Sequence, residues 1–427
     1  MKCNQLIKKI NIGELDGILT TLYGEEQVAA QRKRYLSAIS EFVSIYGDGY
    51  EVDLFSVPGR SELSGNHTDH NCGCVIAASV DLDIIAVAAK AEGSVIRVKS
   101  HGHRANYVDI SEFNSPREEC FGQSSSIIAG MCHGFALNGY AAGGFVAYTT
   151  SNVLGGSGLS SSAAFENMIG TILNHYYNGG RIDNVEIAKI SQYAENKFFG
   201  KPCGLMDQVA CAVGGIVAID FADTSAPIIQ PISFDLSARG YRLCIVNTGG
   251  NHADLTDDYA SVPAEMKAVA RALGAEVLRG ADENKVVASI PELRRTVGDR
   301  AIMRALHFFE ENKRVAIQKK ALIDGDIKTF FDNVKASGQS SFSYLQNVYT
   351  TKNLTEQGLS LALCLAQISL SDKDAAWRVH GGGFAGTIQA YVPVEHVNSF
   401  RAVMDSCFGE GACLVLSIRS LGAIKIC

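Results

Sequence analysis

The sequence predicts an α+β protein in two domains, and three observations carry that expectation. A chain of 427 residues is long enough to bury two separate cores. Alternating runs of β-branched residues and helix-spaced apolar runs both recur along its length, with no internal repeat and no low-complexity tract. The polar residues 222–226 follow a strand pattern and precede the next structured run, so the domains are drawn at 1–221 and 222–427.

Composition narrows the class. Hydrophobic residues make up 47% of the chain and charged residues 19%, which leaves little room for a long disordered region. A net charge of −7 argues against a broad nucleic-acid surface. The start of the chain lacks the apolar core of a signal peptide, and no apolar run approaches membrane-spanning length. Twelve scattered cysteines without a CxxC pair fit free thiols in a reducing compartment. Together these features predict a cytoplasmic protein with neither a membrane nor a nucleic-acid partner, acting as a monomer or weak homo-oligomer.

Taken in order, residues 1–45 read as amphipathic helix, with Gln31, Arg32, Lys33 and Arg34 on a solvated face. Residues 51–57 alternate as a strand and run into Pro58-Gly59-Arg60-Ser61-Glu62-Leu63-Ser64-Gly65-Asn66-His67-Thr68-Asp69-His70-Asn71, whose small polar residues suggest a binding loop. Further strands are expected at 75–89, 95–98 and 106–113, and a helix at 124–137. Residues 185–199 read as one amphipathic helix ahead of Gly200-Lys201-Pro202-Cys203-Gly204-Leu205-Met206-Asp207-Gln208. In the second half, Ser340 to Ser343 reads as the start of a loop, and a glycine cluster at 381–383 precedes a strand at 387–392. His67, His70, Cys72 and Cys74 are spaced too tightly for a structural zinc pair.

The stretch 143–178 organises the rest. A strand of β-branched and aromatic residues from Phe145 is followed by Gly155-Gly156-Ser157-Gly158-Leu159-Ser160-Ser161-Ser162, and then by a helix carrying Met168, Ile169, Ile172, Leu173 and Tyr176. The first N–H groups of a helix lack internal partners and sit at the positive end of its dipole, so such a turn suits a phosphate. No lysine closes a Walker loop, and Ser161 stands where a dinucleotide fingerprint wants its third glycine. An ordinary Gly/Ser turn remains compatible with these residues alone. Glu195 and Asp207, each ordinary as a single charge, supply two carboxylates at the mouth of one loop, as magnesium-dependent phosphoryl transfer requires.

Several motifs in fixed order resemble the galactokinase family of the GHMP small-molecule kinases. PGRSELSGNHTDHN is similar to the galactokinase signature, GGSGLSSSAA to the GHMP phosphate loop, AENKFFGKPCGLMDQ to the segment with the metal ligand and catalytic aspartate, and VHGGGFAGT to the C-terminal glycine motif. The resemblance implies two α+β lobes of the GHMP kinase fold with the active site in the cleft between them. It implies ATP and Mg2+ as cofactors and phosphorylation of the anomeric hydroxyl of a galactose-type sugar. Asp207 and Arg60 would be catalytic. Asn66, His67, Asp69, Gly204 and Tyr259 would bind the sugar, and Gly155, Gly156, Ser157, Gly158, Leu159, Ser160, Ser161 and Ser162 the phosphates. Ser161 or Ser162, with Glu195, would hold magnesium, and Gly381 to Gly383 would shape the wall from the other lobe.

The chain also departs from the family. Galactokinases usually carry GEHTDYN, whose glutamate meets the sugar's 6-hydroxyl; here Asn66 and His70 replace the glutamate and the tyrosine. Asparagine is neutral and can both donate and accept, so it would tolerate a 6-carboxylate. Galacturonate or another galactose-configured sugar is therefore the alternative substrate. A non-catalytic sugar and ATP sensor and another GHMP kinase are less favoured, because Arg60, Glu195 and Asp207 are all present and HTDHN and Met206-Asp207-Gln208 match galactokinases.

Overall fold

The computed structural model describes the chain except residues 113–114, 154–157, 202 and 250–254. Its strands are β1 (Asp53–Ser64), β2 (Cys74–Lys90), β3 (Val95–Ser100), β4 (Asn106–Asp109), β5 (Phe145–Ser151), β6 (Ile216–Asp220), β7 (Ile228–Ile232), β8 (Tyr241–Asn247), β9 (Ala376–His380), β10 (Thr387–Pro393), β11 (Cys413–Leu416) and β12 (Ile424–Lys425). Among the described residues they form two sheets. The larger runs β12-β1-β2-β5-β3-β4, with β6 on β2 and β7 on β6; the smaller runs β11-β8-β10-β9. Residues 74–78 of β2 pair with β6 and residues 84–90 pair with β5, so this strand serves two neighbours in turn.

The larger sheet is buried on both faces, which explains its near-continuous apolar runs. Leu54 of β1 and Val52 just before it join a core shared with the N-terminal helices through Leu6, Ile39 and Phe42. Phe55 and Val57 enter the main core with Met168, Ile172 and Leu173 of the helix Ser161–Tyr177. On the smaller sheet, Val246, Ile388 and Ala390 pack with Leu359, Ala366 and Phe400.

Four expectations need correction. The boundary at 221/222 falls inside the larger sheet, because β7 pairs with β6 beyond it and the chain's end returns as β12 beside β1. Arg34 is not on a solvated face: its guanidinium bonds the fully buried Asp83 at 2.6 Å. The expected helix at 185–199 ends as Asn184–Tyr193 and continues as a single π turn, Ala194–Phe199. Ser340 closes the helix Ile327–Ser340 and leads into a π turn, Ser341–Leu345, rather than starting a loop. These serines turn inward, where Ser340 Oγ lies 2.8 Å from His307 Nδ1 and Ser341 Oγ donates to Asn66. Polar composition therefore signals a buried network here, not solvent.

Candidate active site

Period-two alternation on β1 places Arg60 and Glu62 on one face, and both line a cavity of about 520 Å³. The next turn adds His67 and Asp69, the start of the helix Met206–Val213 adds Asp207, and the second half of the chain closes the cavity with Tyr259 and Gly381 to Gly383.

At its base Arg60 Nε donates to Asp207 Oδ1 at 2.7 Å, with Nη2 at 2.6 Å from the same oxygen. Arg60 Nη1 also donates to the carbonyl of Gly158, and its backbone N–H donates to Leu159 O at 3.0 Å, so β1 is stitched to the end of the Gly/Ser loop. Ser160 Oγ donates to Asp207 Oδ2. Burial would raise the pKa of Asp207, but Arg60, Ser160 and Lys201 more than offset it and hold the carboxyl below its usual value. Asp207 is therefore ionised at neutral pH and a weak base.

A second carboxylate group lies beside the first. Glu195 Oε1 accepts from Lys201 Nζ at 3.0 Å and from Ser162 Oγ at 3.3 Å. Gln208 Nε2 bridges Glu195 Oε2 at 2.8 Å and Glu166 Oε2 at 3.1 Å. Burial and the neighbouring Glu195 push the Glu166 carboxyl well above the ordinary carboxylate range, so Glu166 holds its proton.

On the opposite wall, His67 Nε2 meets the carbonyl of Gly382 at 2.9 Å. Burial, with His70 close by, lowers its pKa to about 3, so the ring is neutral and donates from Nε2. Its buried Nδ1 is left as an acceptor with no partner among the described residues. The Tyr259 hydroxyl lies 3.1 Å from His70 Nε2. Two glycines are needed for close approach: a Cβ on Gly382 would stand 2.5 Å from the Tyr259 ring, and one on Gly204 would stand 2.6 Å from Asp69 Oδ2.

Thus Arg60, His67, Asp69, Gly158, Gly204, Asp207 and Tyr259 share one cavity. Leu159 and Ser160 join it through Arg60 and Asp207, Ser161 opens the helix behind them, and Ser162 reaches Glu195. Gly155, Gly156 and Ser157 lie outside the described residues. Asn66 stands behind the wall, fully buried, and so does not fit the sugar contact expected of it. Its Nδ2 donates to Gly381 O at 2.7 Å and Glu62 Oε1 at 3.1 Å, and its Oδ1 accepts from Asn347 at 2.8 Å and Ser341 at 3.3 Å. Sequence reasoning missed Glu62, Lys201 and His380 on the cavity. For Glu62 the signal was available, two residues after Arg60 on an alternating strand.

The architecture and the site together define a GHMP-type kinase. Residues 126–215 match the N-terminal domain of the GHMP kinases, and residues 40–90 match the galactokinase galactose-binding signature. The chain is 30% identical to a galactokinase of Actinobacillus pleuropneumoniae over 359 residues, 81% of this chain and 87% of the relative. It is 27% identical to a galactokinase of Clostridium tetani, over 84% of this chain and 89% of that protein. It resembles the crystal structure of Lactococcus lactis galactokinase complexed with galactose, with a TM-score of 0.76 at 25% identity over 92% of this chain and all of that one. A mevalonate kinase structure with a TM-score of 0.60 at 15% identity shares the fold, covering 86% of this chain and 98% of that one. The chain belongs to the galactokinase family and is a sugar kinase, a phosphotransferase whose family implies ATP as donor. No helix among the described residues is long and apolar enough to cross a membrane.

Proposed function

We propose that this protein transfers the γ-phosphoryl group of ATP to the anomeric hydroxyl of galactose. The observation that carries this conclusion is the Asp207–Arg60–Ser160 cluster, which joins the Gly/Ser loop to the base of a sugar-sized cavity. A sugar hydroxyl is a poor nucleophile near neutral pH. Asp207, kept ionised by Arg60, accepts a hydrogen bond from that hydroxyl and fixes its direction of attack. Because Asp207 is a weak base and phosphoryl transfer passes through a loose transition state, the proton moves late, after the P–O bond to ATP has largely broken. Arg60 offers fixed positive charge where charge builds on the transferred group. The unpaired N–H groups that open the helix Ser161–Tyr177 supply a phosphate-binding end.

Magnesium fits the same site. Ser162 Oγ and Glu195 Oε1 are hard oxygen donors, and the Lys201 ammonium on Oε1 indicates that this oxygen draws positive charge. When bound, the ion would neutralise the phosphate oxygens of ATP. Ser162 and Glu195 would hold it, while Gln208 keeps Glu195 in place.

Galactose is favoured over galacturonate because Glu62, Asp69 and Asp207 all line the cavity, and Asn66 does not. A sugar-stimulated ATP turnover assay with galactose, galacturonate, N-acetylgalactosamine and arabinose tests the conclusion. Galactose 1-phosphate should form fastest. No turnover with any of the four would refute a galactose-type kinase.

A further inference from the structure

We infer that Glu62 is the specificity-determining residue for the far end of the sugar, where its free carboxylate oxygen accepts a hydrogen bond from the 6-hydroxyl and bars a 6-carboxylate. The inference deepens the proposed galactose 1-kinase activity and rests on it.

The geometry begins at Asp207. With the anomeric hydroxyl at that carboxylate, the sugar extends along β1, where Arg60 and Glu62 share a face. Pairing is regular between them, Arg60 opposite Ser79 and Glu62 opposite Ala77, so their Cα atoms are about 7 Å apart. That is close to the reach of a hexopyranose from its anomeric oxygen to its hydroxymethyl group. Glu62 lines the cavity yet is only 5% exposed, so just a small opening of its surface faces the cavity. A projecting hydroxymethyl arm fits such an opening better than a hydroxyl held on the ring.

The carboxylate is poised for one more donor. Arg378 Nη2 and Asn66 Nδ2 both donate to Glu62 Oε1. No hydrogen bond among the described residues uses Oε2 of this cavity-lining side chain. Arg378 is fully buried, also donates to the carbonyls of Val379 and Leu63, and does not line the cavity, so it holds Glu62 in place from behind, although burial still leaves the Glu62 carboxyl above its usual pKa. Asn66, whose amide is saturated, holds the same oxygen from behind. A carboxyl group held against a buried arginine, with one oxygen open, accepts a hydroxyl and disfavours a second carboxylate beside it.

A substrate-by-enzyme cycle tests this. kcat/KM would be measured for galactose, 6-deoxygalactose, 4-deoxygalactose and galacturonate with the native enzyme and Glu62→Gln. In the native enzyme, loss of the 6-hydroxyl should cost about a hundredfold, as for a hydrogen bond to a charged group in a closed site. In Glu62→Gln the same loss should cost less than about tenfold, and the galacturonate-to-galactose ratio should rise at least about a hundredfold. The penalty for losing the 4-hydroxyl should be equal in the two enzymes. Should Glu62→Gln fail to fold with Arg378 left unpaired, Glu62→Asp keeps the ion pair and withdraws the carboxylate by one methylene, and it should show the same reduced 6-hydroxyl penalty. Additive effects at the 6-position, or coupling confined to the 4-position, overturn the assignment while galactose turnover by the native enzyme stands. If the native enzyme does not phosphorylate galactose, the substrate conclusion fails and this inference falls with it.

Discussion

At the scale of single residues, the site turns on how Arg60 sets the chemistry of Asp207. An aspartate with a depressed pKa is a poor proton acceptor but an excellent fixed acceptor of a hydrogen bond, so in the proposed mechanism its main contribution would be orientation. Asp207→Asn should keep galactose and ATP binding, followed by calorimetry, and lower kcat by about a hundredfold or more. Near-normal turnover would remove Asp207 from the mechanism. The same logic covers His67: with its pKa near 3 it stays neutral throughout the working range, so it serves as a hydrogen-bonding wall and not as a cation.

At the scale of elements, the π turn Ala194–Phe199 matters most. A π turn adds a residue to the helical ladder and re-aims the side chains that follow, and such turns recur at functional sites. Here it carries Glu195 to Ser162, Lys201 and Gln208. Glu195→Gln should raise the magnesium concentration for half-maximal activity, with partial rescue at high magnesium, because a neutral amide binds a hard cation poorly. Lys201 pairs with the same carboxylate oxygen from a largely exposed position and, in the proposed site, would compete with the ion for it. Lys201→Met should therefore shift the magnesium titration the opposite way, toward lower concentrations. Two unchanged titrations would show that the metal is held elsewhere.

At the scale of the whole molecule, buried charges join distant parts of the chain. Asp83 receives Arg34 from the N-terminal helices, Arg419 from the C-terminal segment, Ser56 from β1, and Tyr23. Burial would raise its pKa, but Arg34 and Arg419 hold it below the ordinary value. A depressed folded-state pKa contributes stability that is present above the unfolded value and lost as pH falls through the folded one. Asp83→Asn leaves two buried guanidinium groups short of charge and should cost about 3–5 kcal/mol at neutral pH. Urea denaturation should show that deficit shrinking as the pH is lowered below about 4. A deficit that persists unchanged in acid would mean the cost is steric.

The sequence by itself determined most of the elements, because period-two and helical patterns follow directly from which faces are buried. It also brought Arg60, the end of the Gly/Ser loop, Glu195 and Asp207 into one hypothesis, since each lies in a short contiguous motif whose backbone geometry is local. Tertiary structure decided what depends on partners remote in the chain. Asn66 was legible as a substitution, but its burial comes from Asn347, Ser341 and Gly381, about 275 to 315 residues away. Glu62, two residues from Arg60, is marked out only by Arg378, 316 positions on, which fixes one of its oxygens. Which oxygen of a carboxylate is spent on the protein and which remains for a ligand is set by groups that meet only when the chain closes on itself, and local sequence carries no term for that encounter.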